Sequence, residues 1–376
     1  MVFISINSHG NPGRKHIRLW FFPVKCYKTA MTGSKAPMIF GIFQLPRNTF
    51  SFFAKPLAFL IVAAMLASRC AAVWGAESLR FGFSGATATQ LAGAIAVEQR
   101  LFDLYGVTVE FTQSAGTTMI RALDSGSLQV AVVGGGQALS AYLKGVDVRI
   151  ISGLVNAVPF QLWSKPEISR LKDLKGRLIA NTPPGTSLNL GNQILLARAG
   201  LDPTKDVKLI AFGRLGLVSQ ALFTGVVDAA LLSPPETIEA KRTGLHMIMD
   251  LAMARIPCPF TSVVTTRVVL EKSTMELERF LRGILHGLKL AITNPDMAKK
   301  TISRNMRLND PEAIDEVYQR VVMVYERLPM VPKEAIDTVV KLSPASSSRN
   351  PYGVLDMSLL ERIDKEGFTR SLYGTK

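Results

Sequence analysis

The sequence predicts an α/β protein: two parallel-sheet lobes joined by a two-strand hinge, with extra helices at the C-terminal end. Three observations predict it. Short β-rich runs alternate with helical stretches from Leu79 to Asp250, the grammar of parallel sheets layered with helices. Two stretches within that span read alike, as two similar lobes would. After Asp250 the alternation stops, and one β-branched run is followed by helices alone.

The chain has 376 residues, 48% hydrophobic and 19% charged, which suits a globular protein with a sizeable core. Its net charge of +15 is unevenly spread. Residues 1–76 hold nine Lys or Arg and no acid, which leaves 35 basic and 29 acidic residues, a net of +6, in the rest. No aromatic-studded basic stripe accompanies that excess, so nucleic-acid binding is not expected. Leu57–Ala67, after Lys55, is an uncharged apolar run of eleven residues. A bilayer span needs about 20. With Ala71, Ala72, Gly75 and Ala76 behind it, the run reads as the core of a cleavable secretory signal, so 1–76 is taken as a leader. Cleavage after Ala72, Gly75 or Ala76 fits equally, and Met31 and Met38 offer alternative starts. Arg69 before Cys70 argues against lipid attachment there. Cys26 and Cys70 fall in the leader, so the exported chain keeps Cys258 alone and has no internal disulfide. Between Pro257 and Pro259, Cys258 reads as a buried apolar filler.

Strands are expected at Leu79–Phe83, Val107–Gln113, Val130–Val133 and Val148–Gly153, with helices at Ala88–Arg100, Thr117–Asp124 and Gln137–Lys144. A second series follows Trp163: strands at Leu178–Asn181, Val207–Ala211, Val227–Leu232 and Met247–Asp250, and helices at Ser187–Ala199, Gly216–Phe223 and Pro234–Arg242. Leu123-Asp124-Ser125-Gly126 before Val130 matches Leu222-Phe223-Thr224-Gly225 before Val227, each a helix closed by glycine and followed by a strand. Phe260–Val269 suits a strand returning to the first lobe. Helices are then expected at Met275–Asn294, Asp296–Arg304, Pro311–Arg327, Pro332–Lys341 and Met357–Lys365. The first lobe is thus read as 77–165 with 263–376, and the second as 166–262.

In such folds ligands sit where strand ends meet helix starts, because unpaired backbone N–H groups there favour anions and polar groups. Small hydroxyl and glycine residues recur at these junctions. The first lobe offers Ser84, Gly85 and Thr87, then Ser114, Gly116 and Thr117, then Gly134, Gly135 and Gln137. The second offers Thr182, Gly185, Thr186 and Ser187, then Arg214, then Ser233. Ser and Thr also cap helices for structural reasons, so each residue alone says little. The near absence of Asp and Glu at these junctions favours an anionic or neutral polar solute. Glu236, the nearest acid, falls at a helix start, where it complements the dipole.

Signatures of catalysis are missing. Gly134–Gly136 lacks the Gly-Lys-Ser/Thr tail of a phosphate loop. Gly82-Phe83-Ser84-Gly85-Ala86 has Ala where a nucleophile elbow needs its second glycine. After the leader only His246 and His286 remain, with no zinc-ligand spacing and no serine beside them. No catalytic residue, metal or cofactor is expected.

With these residues in hand, the chain resembles the periplasmic binding proteins of the nitrate/sulfonate/taurine and thiamine-precursor family, within the type II binding-protein superfamily. The likeness runs from Glu77 to Gly374. It rests on Leu171-Lys172-Asp173-Leu174-Lys175-Gly176-Arg177, on Pro184-Gly185-Thr186-Ser187, on Gly134-Gly135-Gly136 and on Gly225-Val226-Val227-Asp228-Ala229. The resemblance implies a monomer in the periplasm that closes two lobes on a small solute and docks on an ABC permease. It carries the ligand role to the first-lobe loops and to the Thr182–Ser187 loop. An enzyme of thiamine- or quinone-precursor metabolism on the same fold, or a sensor feeding a membrane receptor, remain the alternatives. The enzymes of thiamine-precursor synthesis carry a cysteine-rich iron motif that this chain lacks.

Overall fold

A computed structural model describes residues 2–5, 18–21, 78–85, 87–342 and 347–374. Near the N-terminus β1 (Val2–Ser5) pairs antiparallel with β2 (Arg18–Phe21). The apolar run Leu57–Ala67 and the cleavage positions read as a signal lie outside the described residues.

From Leu79 the alternation read in the sequence becomes a first sheet. β3 (Leu79–Phe83) leads through a 3-10 turn (Ala88–Gln90) to α1 (Leu91–Glu98) and the short α2 (Leu101–Leu104). β4 (Val109–Gln113), α3 (Gly116–Asp124), β5 (Val130–Val133), α4 (Gly135–Leu143) and β6 (Val148–Ala157) follow. Gly126 closes α3 at φ +74°. Gly225, its counterpart in the second series, stands at φ +73°. Both occupy the left-handed region that favours glycine, as the repeated helix stop requires.

The second sheet takes β7 (Gln161–Ser164), β8 (Leu178–Asn181), α5 (Ser187–Ala199), β9 (Lys208–Ala211), α6 (Leu215–Phe223), β10 (Ala229–Leu232), α7 (Glu236–Arg242) and β11 (His246–Asp250). The chain then returns through β12 (Pro257–Thr266) to the first sheet. Strand orders are β4-β3-β5-β12-β6 and β11-β7-β10-β8-β9. The three strands β4, β3 and β5 are parallel, as are β9, β8 and β10. Each sheet is nevertheless mixed. β12 runs antiparallel to β5 and β6, and β7 runs antiparallel to β10 and β11. Gln161–Ser164, counted with the first lobe from sequence, pairs in the second sheet. β6 and β12 lie side by side, Val148 opposite Thr266 and Ala157 opposite Pro257, up to the two passages between the sheets.

Two boundaries differ from the sequence reading for local reasons. The β-branched run expected to stay extended to Val269 turns helical after Thr266, whose hydroxyl accepts from the Val269 N–H and starts α8 (Arg267–Lys272). The helix expected from Pro234 begins at Glu236, because Pro235 stands at its cap position.

The C-terminal helices are α9 (Thr274–Thr293), α10 (Pro295–Met306), α11 (Pro311–Val324), α12 (Lys333–Leu342), α13 (Ser358–Lys365) and α14 (Phe368–Tyr373). α9 buries Phe280 against Phe102, rings stacked 4.8 Å apart, and against Phe81 edge-on at 4.7 Å. Such pairs add about 0.5–1.5 kcal/mol to burial alone. α11 clasps the second sheet as well as the first. Tyr325, just past its end, donates to the Thr89 carbonyl and accepts from the Ala92 N–H, both at 3.1 Å. Arg320 meets both oxygens of Asp250, at 2.8 and 2.7 Å, and Gln161 donates to the same carboxylate at 3.0 Å. Cys258 is fully buried, and burial pushes its thiol up to about 12.

Candidate functional site

Three helix starts converge where the two sheets face each other. α3 begins at Gly116, α4 at Gly135 and α5 at Ser187. Neither Ala115 nor Gly134, the cap residues of α3 and α4, supplies a side-chain acceptor. The first N–H groups of both helices are therefore left for another partner. α5 is different: the Thr186 hydroxyl accepts from the Asn189 N–H at 3.4 Å and donates to the Pro183 carbonyl at 2.8 Å.

Missing side chains hold the three starts together. A methyl group added at Gly134 would lie 3.0 Å from Ser187 Oγ, across the gap between the sheets. One added at Gly116 would overlap Gln137 Oε1. One added at Gly135 would lie 2.5 Å from the Pro259 carbonyl oxygen and 2.6 Å from the buried Ser262 Oγ. The Gln137 amide thus lies against the start of α3, and Ser187 faces the start of α4.

A cavity of about 410 Å³ opens beside this point, between the facing sides of α4 and α5 and under α12. Gln137, Gly185, Thr186 and Ser187 line it, with Ser140, Asn189 and Gln193 adding polar groups and Phe260 an apolar wall. Lys144 is the one charged residue in the lining, and no Asp, Glu, His or Cys stands there. The helix dipoles, unpaired N–H groups and this lysine favour a negative or hydrogen-bond-accepting ligand.

The other residues singled out from sequence are placed differently. Gly85 and Thr87 line a separate hollow of about 280 Å³ beside α1 and α10. Ser84 accepts from Gln90 Nε2 at 2.8 Å. Ser114 and Thr117 are exposed and line neither cavity, and Thr182 is buried with its hydroxyl on that of Thr186. Arg214 caps α6 without a side-chain bond and is exposed. Ser233, half-buried, holds the Glu236 N–H with its carbonyl at 3.0 Å. Neither Arg214 nor Ser233 lines either cavity. Burial raises the Glu236 carboxyl above its usual range. His286 lies away from both cavities, 2.9 Å from the Tyr105 hydroxyl, and burial with Lys289 lowers its pKa.

Sequence reading missed Ser140, Lys144, Asn189 and Gln193. A signal for the first two existed: Gln137, Ser140 and Lys144 recur at helical spacing on one side of α4. Two of the motifs that prompted the resemblance are structural. Asp173 accepts from the Ser169 and Arg170 N–H groups and so closes the turn Leu171–Leu174. Asp228 binds Lys165 at 2.7 Å and the Leu178 N–H at 2.9 Å, contacts that outweigh its burial and keep its carboxyl below the usual range.

Among the described residues no group of three His, Cys, Asp or Glu is placed to hold a metal, and no helix is long and apolar enough to cross a membrane.

The family model described as NMT1/THI5 like matches residues 89–298, more than half of the chain. No curated protein matches. Solved structures share the fold at low identity. A protein of Bordetella bronchiseptica RB50 is 20% identical with a TM-score of 0.66, covering 77% of this chain and 98% of its own. The periplasmic aliphatic sulphonate binding protein SsuA from Escherichia coli is 19% identical with a TM-score of 0.59, covering 70% and 90%. The alkanesulfonate-binding protein SsuA from Xanthomonas axonopodis pv. citri, bound to MOPS, is 17% identical with a TM-score of 0.56, again covering 70% and 90%.

Proposed function

The chain belongs to the NMT1/THI5-like family, and from that premise we propose that it is an exported solute-binding protein for an ABC importer, and not an enzyme. One lobe is built on each sheet, and the passages at 158–160 and 251–256 act as the hinge. The solute is small and anionic or polar, held between the lobes and handed to a membrane permease. The observation that carries this reading is the convergence of three helix starts on Gln137 and Ser187, with Lys144 as the only charge in the adjoining lining. That arrangement offers donors in excess and no carboxylate, imidazole or thiol in the adjoining lining, which suits recognition of an anion. Two fold neighbours are named for sulfonate binding, so alkanesulfonates are the first class to try.

Native mass spectrometry of gently purified protein tests the reading. A small acidic molecule carried by the wild-type chain and lost from Ser187→Phe, which fills the gap opposite Gly134, is the expected result. Turnover of that molecule by the purified protein, or its retention in Ser187→Phe, would overturn it.

A further inference from the structure

Helix α11 is anchored to the elements of the first sheet. Tyr325, just past its end, bridges to Val155 of β6 besides holding Thr89 and Ala92. Asp315 meets Lys299 of α10 at 2.6 Å, and the Tyr318 hydroxyl donates to the Ile292 carbonyl at 3.4 Å. Val317, Val321 and Val324 are buried along the same helix.

Another face of α11 reaches the second sheet and its helix α7. Glu312, Glu316 and Arg320 stand four residues apart, in one row about 12 Å long. Arg320 holds Asp250 beside the passage at 251–256. Glu316 accepts from Thr237 Oγ1 at 2.6 Å, and Thr237 is 2% exposed. Glu312 accepts from Arg242 at 2.5 Å, and Asp310 lies 3.8 Å from the same guanidinium. Thr237 and Arg242 both belong to α7. The sheets are close together while this row is engaged. A methyl group on Gly134 would lie 3.0 Å from Ser187, and one on Gly136 would lie 2.8 Å from Leu190. A helix fixed to one sheet and bonded along its length to the other must lose one set of contacts when the two separate.

We propose that α11 is a strap that holds the two lobes shut. Arg320 on Asp250 is its pivot beside the hinge, and Glu312 and Glu316 form a latch on α7 that releases as the lobes open. Such a strap presupposes lobes hinged at 158–160 and 251–256, the reading proposed above. An exposed pair such as Glu312 and Arg242 holds little alone, so the latch depends on the half-buried Glu316 contact beside it.

Double electron–electron resonance between nitroxides on Ser114→Cys and Arg214→Cys tests this in the full chain carrying Cys26→Ser and Cys70→Ser. Cys258 is fully buried and does not compete for label. Ser114 and Arg214 are exposed and follow β4 and β9, the edge strands farthest from the passages, so opening of the lobes changes their separation most. The background chain should give one short distance, and Thr237→Val with Arg242→Ala should add a longer one. Glu312→Ala with Glu316→Ala cuts the same contacts from α11, should the first pair fail to fold by circular dichroism. Arg304→Ala, which removes the Glu98 contact between α1 and α10, should leave the distance unchanged. Ser187→Phe wedges the gap opposite Gly134 and should lengthen the distance whether or not a latch exists. An unchanged distance in a folded latch variant, beside a lengthened one in Ser187→Phe, would overturn the strap alone. No lengthening in either would overturn the hinged lobes with it. A long component already present in the background chain, or equal lengthening in Arg304→Ala, would also overturn the strap.

Discussion

Gly116 and Gly134 leave room for groups on other elements, and that room makes both positions sensitive. Gly116→Ala would push the Gln137 amide away from the start of α3. Gln137→Leu would remove it. If the solute is an anion, either change forfeits a charge-assisted bond, about 1.5–3 kcal/mol of affinity in a calorimetric titration. Thr186→Val acts through the protein instead. Its hydroxyl is occupied by Pro183 and Asn189, so about 1 kcal/mol of stability should go with the cap. Arg214, exposed and outside both cavities, should matter less than a cation at a strand end suggests. Arg214→Ala is expected to change affinity by under about 1 kcal/mol. Sequence could mark every junction where a hydroxyl or glycine meets a helix start. It could not tell Ser187, which faces the gap, from Thr186, which caps the helix, because the same residue types serve both ends. Cys258 was legible from its proline neighbours and the scarcity of other cysteines. Raised to about 12 and fully buried, it should stay unlabelled by thiol reagents at pH 8 in native protein and react in denaturant, as peptide mapping would show.

Most strands and helices could be read from periodicity and glycine stops. β7 could not, because Gln161–Ser164 runs antiparallel in a sheet whose neighbouring signals were all parallel. Equally hidden was the role of α11, whose contacts join residues far apart in sequence. Tyr325→Phe would leave the Ala92 N–H without its acceptor and should cost about 1–3 kcal/mol in urea unfolding. The Arg320–Asp250 pair, with side chains 10% and 9% exposed, is the strongest tie between α11 and the second sheet. Burial alone would raise the Asp250 carboxyl, but Gln161 and Arg320 outweigh it and hold it below the usual range. A depressed folded pKa contributes stability above the unfolded value of about 3.9, and the contribution fades as pH falls through the folded value. Asp250→Asn should thus cost roughly 3 kcal/mol at neutral pH, by leaving Arg320 buried and unpaired. The gap from wild type should hold down to about pH 5 and narrow below about pH 4.

For the whole molecule, export and capture are separate claims. If Leu57–Ala67 is a signal core, N-terminal sequencing of protein from a periplasmic fraction should start between Val73 and Ser78. An intact leader on cytosolic protein would contradict it. The two-sheet plan was legible because both series repeat one βαβ grammar. The solute was not, since the helix-start N–H groups proposed to hold it at the convergence of α3, α4 and α5 carry no side-chain signature. Capture of an anion at that convergence is the central claim. Isothermal titration of the purified protein with ethanesulfonate, taurine and nitrate, and with putrescine as the cationic control, tests it most directly. At least one anion should bind wild type, weaken at least tenfold in Gln137→Leu and be lost in Ser187→Phe, with no heat from putrescine; binding of putrescine alone, or anion binding that survives both substitutions unchanged, would contradict it.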